Sequence, residues 1–270
     1  VRINRAMAQK AGCTPDEVIG KHCYHLFHDR GDPPESCPHV RMMLDGQEHI
    51  AETTEEKLGG TFLVSVTPMY DGNQQLAGCV HVARDITERK RLEAELERQA
   101  TRDSLTGLLN RRHFLEVLTT AHQNATRYGF PLSLAILDLD HFKEINDRYG
   151  HQQGDEVLRR FGAIVREELR TGDLAGRYGG DEFIVAFPHT VAENAAESLE
   201  RIRRRLQAAT FGTESESYGV YCTAGVAELP RGGGTVDFLI SQADKAMYEA
   251  KAKGRNRVVA YRAPEYPDNS

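Results

Sequence analysis

The chain has 270 residues, of which 40% are hydrophobic and 27% are charged, and its formal net charge is −6 at pH 7. This length allows two domains. The acidic balance excludes a broad basic surface for duplex nucleic acid, and no apolar run approaches the roughly 20 residues that span a membrane. We therefore expect no nucleic-acid partner and no membrane segment within these residues.

The front of the chain, residues 1–86, differs from the rest because it holds four of the five cysteines. Thr14, Pro15 and Glu17 form a capping box with proline at the first helical position, which predicts a short helix there. Three runs with strand composition follow, and turn residues at 71–73 separate the last two. These strand-like runs are residues 48–56, 61–70 and 76–84.

This order of elements, together with the sequences EVIGK at 17–21 and DITER at 85–89, resembles a PAS sensor domain. Relative to that family the first strands are missing, and the chain begins with Val1 rather than Met. We therefore expect a fragment of a longer protein, in which any membrane tether would lie upstream. The resemblance implies a sensory pocket whose ligand is unknown, since PAS domains bind a small molecule, haem, flavin or nothing.

Histidines and cysteines are concentrated in the same region. The residues concerned are His22, His25, His28 and His39, which surround Cys23 and Cys37. Their spacing matches no closed zinc pattern. Scattered thiols without a signal peptide instead suit a reducing compartment, and we expect a cytoplasmic location. Whether the cluster binds a metal or haem stays open at this point.

Residues 87–100 (TERKRLEAELERQA) are charged, lack glycine and proline, and favour a helix. Leu92 and Leu96 form a short apolar seam, which is too brief to establish a coiled coil. A solvated linker helix is one interpretation. The other is a parallel dimer stalk, which would set how two copies of the following domain approach each other.

Two acidic positions at the ends of predicted strands stand out in the remainder of the chain. The run LSLAILDLD at 132–140 fits a buried strand that delivers Asp138 and Asp140 at its carboxyl edge. The run LAGRYGGDEFIVAF at 174–187 predicts a hairpin with Asp181 and Glu182 at its tip. If strand and hairpin are neighbours, their acids form an oxygen cluster suited to Mg²⁺ or Mn²⁺. The alternatives are an ordinary solvated hairpin and a helix capped by Asp138.

These residues resemble the GGDEF-domain diguanylate cyclases, whose signature pentad stands intact at 179–183. Further motifs occur in the right order, which makes the resemblance specific. They are DSLTGLLNRR at 103–112, DLDHFKEIND at 138–147, GD at 154–155 and AKAKGRNR at 250–257. The resemblance covers roughly residues 101–262 and implies an α/β fold, the palm-like nucleotidyl cyclase sandwich. A partial α+β PAS domain at 1–86 and a helical linker at 87–100 would precede it, and a flexible tail at 263–270 would follow.

Within that domain the sequence predicts helices at 111–126, 156–169 and 236–253 and a strand at 221–229. The helix at 156–169 has an apolar stripe on one face. The last helix has a second stripe, made by Leu239, Ala243, Ala246, Met247 and Ala250.

The resemblance implies condensation of two GTP molecules into cyclic di-GMP with release of pyrophosphate, by a homodimer whose two domains face each other. It assigns Asp138, the Leu139 carbonyl, Asp181 and Glu182 to two Mg²⁺ or Mn²⁺ ions per active site. Lys143, Asp181 and Glu182 would be catalytic. Asp181 is also a candidate to draw the proton from the attacking hydroxyl, although an Asp beside a metal is a poor base.

The same resemblance implies a set of substrate-binding residues. Asn146 and Asp155 would contact guanine, His141 and Phe142 would belong to the same site, and Lys251 and Arg255 would grip the phosphates. A carboxylate accepts from guanine N1–H and N2–H, which favours GTP over ATP. Ordinary structural roles compete with each assignment. Asn146 could be helix-terminal, Asp155 an N-cap, Lys143 a solvated lysine, and Lys251 and Arg255 a charge pair at a helix C-terminus.

Arg170 and Asp173 stand at the offset from the pentad where many members of this family have an Arg-x-x-Asp product-inhibition site. Arginine presents a planar fork suited to guanine and phosphate. Arg201, on the next helix, could contribute from a neighbouring domain. The alternative is a turn with a local contact between Arg170 and Asp173.

Two functions from different classes stay open. One is an active, product-inhibited diguanylate cyclase under sensory control, in which the stalk sets how the two domains meet. The other is a catalytically inactive module that binds GTP or cyclic di-GMP as an effector. Degeneration should damage Asp138, Lys143, Asp181 or Glu182, and all four are intact, which favours the enzyme.

Overall fold

The structure is a computed structural model that describes residues 1–28, 31–33, 37–212, 216–230 and 233–261. The predicted flexible tail at 263–270 lies outside the described residues. The chain divides into two compact units, Val1–Leu96 and Glu97–Ser270. None of the helices in the described part combines the length and apolar character that crossing a membrane requires.

The first unit is a three-stranded antiparallel sheet with short helices before it. The helices are α1 (Arg5–Ala11), α2 (Cys23–Phe27) and α3 (Pro38–Asp45), with a 3-10 turn at Asp16–Val18. The strands are β1 (His49–Glu55), β2 (Gly60–Tyr70) and β3 (Leu76–Asp85), in the order β1-β2-β3. Phe62 and Val66 of β2 and Met42 of α3 are buried.

The local predictions for this unit agree with the structure. The Glu17 carboxylate accepts a hydrogen bond from the Thr14 backbone N–H at 2.7 Å, which is half of the predicted capping box. The helix it begins is only the three-residue 3-10 turn. Between β2 and β3, the Asp71 carboxylate accepts from the backbone N–H groups of Asn73 and Gln75 at 2.8 and 2.9 Å, which closes the predicted turn.

The predicted linker segment is helical. Helix α4 runs from Thr87 to Thr101, and Leu92 and Leu96 are 56% and 66% exposed in the single chain. The helix forms as its composition predicts. Pairing of the apolar seam with a second copy stays a prediction.

The second unit is an α/β sandwich around a five-stranded mixed sheet. Its helices are α5 (Arg111–Tyr128), α6 (Phe142–Tyr149), α7 (His151–Glu168), α8 (Ala192–Ala208) and α9 (Val236–Ala252). Its strands are β4 (Leu132–Leu139), β5 (Leu174–Arg177), β6 (Glu182–Pro188), β7 (Thr210–Gly212), β8 (Ser217–Gly219), β9 (Cys222–Glu228) and β10 (Val258–Ala260). The main sheet has the order β10-β9-β4-β6-β5, and β7 and β8 form a separate small hairpin.

The central strand β4 is antiparallel to both of its neighbours, β6 and β9. Its side chains alternate between two apolar clusters. Ala135 and Leu137 pack with residues of α7 and α8, whereas Leu134 and Ile136 pack with residues of α5 and α9. Burial on both faces is the reason that this strand reads as a continuous apolar run rather than an alternating one.

Two of the competing structural assignments are wrong. Helix α7 begins at His151, five residues before the predicted start at 156, so Asp155 lies inside the helix and is not its N-cap. The break falls at Gly150, whose φ of +83° separates α6 from α7. Asp138 is not a helix cap either, because the N-cap position of α6 belongs to His141.

Helix α9 lies directly against β9 at Gly225. A Cβ placed on Gly225 would be 2.0 Å from the backbone nitrogen of Met247 and 2.3 Å from the carbonyl oxygen of Ala243. Only glycine allows this approach of helix backbone to strand. The predicted apolar stripe of α9 is buried against the sheet, which fixes the end of the helix where Lys251 stands.

Candidate functional site

Strand pairing brings the separated acids together at one edge of the sheet. Asp138, near the end of β4, lies opposite Glu182, the first residue of β6. The Leu139 backbone N–H donates to the Asp181 carbonyl oxygen at 3.3 Å. Side chains directly opposite each other in an antiparallel pair share a face. The structure therefore places Asp138, Asp181 and Glu182 at neighbouring backbone positions on one edge of the sheet.

The electrostatics of this edge are unfavourable for the acids alone. Burial raises the pKa of Asp138, the Lys251 ammonium opposes this, and the Asp181 and Asp140 carboxylates add to the increase. Burial and the charges of Asp138 and Asp181 also raise the pKa of Glu182, which Lys251 again opposes. Half-buried carboxylates in mutual repulsion are stabilised by a cation placed among them.

In this structure a lysine lies beside the buried acid. The Lys251 Nζ is 2.9 Å from the Asp138 Oδ2, with 29% and 13% of the two side chains exposed. The donor oxygens of Asp138, Asp181 and Glu182 are not all within 4.8 Å of one another. In the described chain, a different trio of side chains meets that limit. The backbone positions of the three acids are adjacent, so side-chain rotation is what a shared ion would require. The donors are hard carboxylate oxygens, which fit Mg²⁺ or Mn²⁺.

The two glycines of the pentad have different surroundings, and one of them leaves space for the Glu182 carboxylate. A Cβ on Gly179 would be 2.9 Å from the Glu182 Oε2, whereas one on Gly180 would meet no heavy atom within 4 Å. Gly179 is therefore the position where a side chain would displace the Glu182 carboxylate. Gly179 thus leaves space for the Glu182 carboxylate, and Gly180 leaves the outer side of the hairpin tip open.

Arg177 holds the hairpin tip and was not singled out from the sequence. Its guanidinium donates to the Gly180 carbonyl oxygen through Nε and Nη2, at 3.1 and 2.7 Å. Its Nη1 lies 3.3 Å from the Asp103 Oδ2. Burial acts against ionisation of Asp103, yet hydrogen bonds from Thr106 and the charge of Arg177 lower its pKa. The position of Arg177, two residues before the pentad, is the only sequence signal that could have found it.

Replacing Arg177 by Gln should lower the free energy of unfolding of the second unit by about 1.5–3 kcal/mol, the range for hydrogen bonds to charged groups. The variant keeps a polar side chain but loses the two-pronged contact with Gly180 and the charge opposite Asp103. Urea unfolding, followed by a signal specific to this unit, measures the loss. Arg127→Gln, at an exposed arginine of α5, is the matched control and should keep wild-type stability. Equal unfolding midpoints for the two variants would contradict the role of Arg177.

Asp140 has a different role from Asp138, although both end the same strand. Its carboxylate is buried and accepts from the Thr223 hydroxyl at 2.7 Å and from the Asn256 backbone N–H at 3.0 Å. Asn256 and its neighbour Arg255 both have positive φ, 45° and 58°. Asp140 therefore ties β4 to β9 and to the strained turn that presents Arg255. A buried acid paired with backbone has no local sequence pattern, so this network was missed.

The predicted guanine-contacting residues meet where α6 and α7 join. A Cβ on Gly154 would lie 2.0 Å from the Asn146 Oδ1, so the Asn146 amide packs on α7 at that glycine. Asp155 follows Gly154, and its carboxylate is half exposed, 3.9 Å from the Arg159 guanidinium. Asn146 lies in the last turn of α6, where its carbonyl oxygen accepts from the Gly150 backbone N–H at 2.9 Å, as the helix-terminal alternative expected. An amide offers both donors and acceptors to a base edge, and a carboxylate offers acceptors.

The remaining predicted site residues lie at the start of α6. His141 has a φ of 59° as N-cap residue, and its Nδ1 is 2.7 Å from the Glu144 Oε1. Phe142 is half-buried and packs on the main apolar cluster. Lys143 is exposed, so its side chain is available to a ligand.

The predicted inhibitory residues line one open pocket of about 300 Å³. The Arg170 Nε is 3.0 Å from the Asp173 Oδ1, and its Nη2 donates to the Pro188 carbonyl oxygen at 2.9 Å and to the Thr190 hydroxyl. Arg201 of α8 lines the same pocket of the same chain and pairs with Glu168. The three residues thus line one pocket of a single domain, and a contribution of Arg201 to the site of a neighbouring domain stays a prediction.

Comparison with known proteins finds a family for each unit. Residues 100–257 match the family model described as diguanylate cyclase, GGDEF domain. Residues 1–91 match the family model described as PAS fold. The first match covers more than half of the chain, and its description agrees with the acids and glycines gathered at the β4–β6 edge.

Among curated proteins, the chain is similar to the response regulator PleD of Caulobacter vibrioides, 41% identical over 173 residues, which are 63% of this chain and 38% of that protein. It is also similar to a diguanylate cyclase of Vibrio cholerae, 37% identical over 188 residues, which are 70% of this chain and 58% of that protein. The chain thus spans less than two thirds of the length of these relatives.

Among solved structures, the GGDEF domain of DgcB from Caulobacter crescentus in complex with c-di-GMP aligns with a TM-score of 0.59 at 37% identity. The alignment covers 61% of this chain and 94% of that one. The active GGEEF domain of a diguanylate cyclase from Vibrio cholerae aligns with a TM-score of 0.55 at 36% identity, over 58% of this chain and 99% of that one. The fold of the second unit is therefore shared with proteins of this group.

Proposed function

Because the chain belongs to the GGDEF-domain diguanylate cyclase family, we propose that it condenses two GTP molecules into cyclic di-GMP and two pyrophosphates. The observation that carries the proposal is the β4–β6 register, which sets Asp138 opposite Glu182 and beside Asp181. The residues whose loss would mark an inactive relative are all intact. As each domain would hold one GTP, the active species is a homodimer.

Asp138, the Leu139 carbonyl, Asp181 and Glu182 would hold two Mg²⁺ or Mn²⁺ ions in each site. When bound, such ions neutralise triphosphate charge and favour in-line attack by a 3′-hydroxyl. Burial first, and the neighbouring carboxylates second, raise the pKa values of Asp138 and Glu182, which supports a site that a cation would stabilise. Asp181 is in addition the candidate to accept the hydroxyl proton, a role secondary to its metal role.

Basic residues around the acids would bind the triphosphate. The Lys251 ammonium contacts the Asp138 carboxylate at 2.9 Å. It can therefore exchange this carboxylate for phosphate oxygens without a large movement. Arg255 stands on the turn that Asp140 fixes through the Asn256 N–H. Lys143, exposed at the start of α6, would stabilise charge on the reacting phosphates.

Asn146 and Asp155 would select guanine, with His141 and Phe142 at the same end of α6. The Asp155 carboxylate can accept from both N1–H and N2–H of guanine, whereas adenine presents no such pair of donors. A site built on hydrogen bonds discriminates strongly against a base that leaves its polar groups unpaired. This supports GTP rather than ATP as the substrate.

The PAS unit would control the reaction through helix α4. If the exposed Leu92 and Leu96 pair with a second copy, α4 becomes a parallel stalk that sets how the two cyclase domains meet. The signal would then shift the population of facing dimers rather than alter the chemistry. The location would be cytoplasmic.

The decisive test is to incubate the full chain with GTP and Mg²⁺ and to separate the products by chromatography. Bound cyclic di-GMP must first be stripped, and protein concentration must be high enough for dimers to form. We expect cyclic di-GMP and pyrophosphate in a ratio of one to two. If none forms while GTP or cyclic di-GMP still binds, the chain is the alternative, an inactive effector module.

Product inhibition would act through the pocket of Arg170, Asp173 and Arg201. We expect Arg170→Ala to keep turnover but to raise the inhibition constant for cyclic di-GMP about 10- to 100-fold, since hydrogen bonds to charged groups are each worth about 1.5–3 kcal/mol. Initial rates at increasing product concentration measure it. Arg204→Ala, at an arginine that is 73% exposed on the same helix as Arg201, is the control. Unchanged inhibition in Arg170→Ala would refute the assignment.

A further inference from the structure

Outside the cyclase site, three metal-binding side chains of the first unit converge. His39, Cys79 and His81 place their donor atoms all within 4.8 Å of one another, and no other trio of His, Cys, Asp or Glu in the described chain does so. The Cys79 Sγ and the His81 Nε2 are each 3.3 Å from the His39 Nδ1. One imidazole nitrogen has a single proton or a single lone pair, so it cannot pair well with both partners.

The pairing of β2 and β3 explains how the three residues meet. Cys79 and His81 are two residues apart on β3 and so share one face of the sheet. They lie opposite Pro68 and Val66 of β2, and Val66 is buried in the core of this unit. His39, near the start of α3, meets them from the helix that packs on this face. The cluster therefore brings together α3 and β3, whose members His39 and Cys79 are 40 residues apart in the chain.

The separations suit a tetrahedral ion. Ligand bonds of about 2.0–2.1 Å for nitrogen and about 2.3 Å for sulfur place neighbouring donors roughly 3.3–3.8 Å apart. Two of the observed separations are 3.3 Å. A mixture of thiolate and imidazole selects borderline-soft cations such as Zn²⁺ and not Mg²⁺. These donors thus differ in class from the carboxylates of the cyclase site.

Two further thiols of this unit, those of Cys23 and Cys37, lie outside the trio. Cys23 begins α2, and Cys37 is the N-cap residue of α3. The other histidines of the front region have different neighbours, because His28 pairs with Glu55 and His22 stacks on Tyr24.

We propose that His39, Cys79 and His81 form a three-ligand binding site for a Zn²⁺-class divalent cation. The ion would clamp α3 onto β3 and so stabilise the PAS unit. A ligand that binds only the folded unit raises its stability in proportion to the logarithm of its concentration above the dissociation constant. Occupancy of the site would thereby change the stability of the PAS unit.

The test uses Co²⁺ as a spectroscopic stand-in for Zn²⁺, added to the reduced full chain in excess Mg²⁺ and without nucleotide. We expect one equivalent to give the intense visible bands of tetrahedral Co²⁺ and a near-ultraviolet thiolate-to-cobalt charge-transfer band. Zn²⁺ should then abolish both. Co²⁺ held by the oxygens of the cyclase site would show no thiolate band, so the two sites are distinguished whether or not the protein is an active cyclase.

Two ligand variants and a control complete the design. Cys79→Ala should remove the charge-transfer band. His81→Ala, at an exposed residue, should weaken Co²⁺ binding at least about 100-fold, the upper loss seen for outer-shell partners. Cys13→Ala removes a thiol of the same unit outside the trio and should change nothing. A full-strength thiolate band in Cys79→Ala, wild-type affinity in His81→Ala, or no thiolate band in the wild type would overturn the proposal.

Discussion

Replacing Asp181 by Asn is expected to lower the rate of cyclic di-GMP formation by at least about 1,000-fold, because a bound metal ion contributes several kcal/mol of charge stabilisation to such a transition state. The substitution removes one negative oxygen from the edge where Asp138 and Glu182 also stand. The change in shape is minimal. Single-turnover and steady-state rates with GTP and Mg²⁺, at equal dimer concentration, measure the loss.

The same substitution should leave the stability of the cyclase unit unchanged or slightly higher. Asp181 contributes to the raised pKa values of both Asp138 and Glu182, so neutralising it relieves repulsion in the folded state. A thermal unfolding scan without metal tests this. Loss of activity together with lower stability would instead indicate a damaged fold.

Asp244→Asn is the matched control for Asp181→Asn. Asp244 also contributes to the raised pKa of Glu182, as the last of the causes, but it is absent from the proposed metal ligands. We expect turnover within about 10-fold of wild type, since a distant, partly screened charge is worth about 1 kcal/mol or less. If the Asp181 variant retained near-wild-type turnover, the acidic edge would not be the catalytic centre.

Replacing Gly225 by Ala is expected to destabilise the cyclase unit by about 3 kcal/mol or more, at the upper end of overpacking effects. The new methyl group would meet the backbone of α9 at 2.0 to 2.7 Å, and a helix backbone cannot rotate away as a side chain can. The helix would have to move off β9, and Lys251 with it. Urea unfolding, followed by a signal specific to the second unit, measures the change.

Gly172→Ala is the control for Gly225→Ala, because a Cβ at Gly172 meets no heavy atom within 4 Å and its φ is not positive. It should shift stability by less than about 1 kcal/mol in either direction. Similar unfolding midpoints for the two variants would show that α9 can shift on β9 at little cost.

Local patterns predicted the elements that bear the acids. The continuous apolar run of β4, the double glycine of the hairpin and the capping box at Thr14 each depend on neighbours within a few residues, so their sequences suffice. The glycine and charge patterns also carried the family resemblance, which the comparisons confirmed. The start of α7 was misjudged because Asp155 is a good N-cap residue, whereas the chain break lies at Gly150, where glycine had several possible meanings.

Contacts between distant segments could not be predicted in this way. Asp140 pairs with the Asn256 N–H across 116 residues, and His39 meets Cys79 across 40. In the sequence of the front region, the closely spaced His22, His25 and His28 are the most visible candidates. The trio that converges in the structure instead takes two of its three members, Cys79 and His81, from β3. A strand register that differed by one residue would turn Cys79 and His81 to the other face.

Residue types and their spacing were sufficient to establish the family of this chain, the candidate residues of its site and most of its helices and strands. These follow from short motifs and from short-range conformational preferences. Folding in three dimensions decided which charges share a site, that Arg201 joins Arg170 within one domain, and that two histidines and a cysteine converge in the PAS unit. Such choices depend on strand register and helix docking, whose energies come from burial of side chains far apart in the chain.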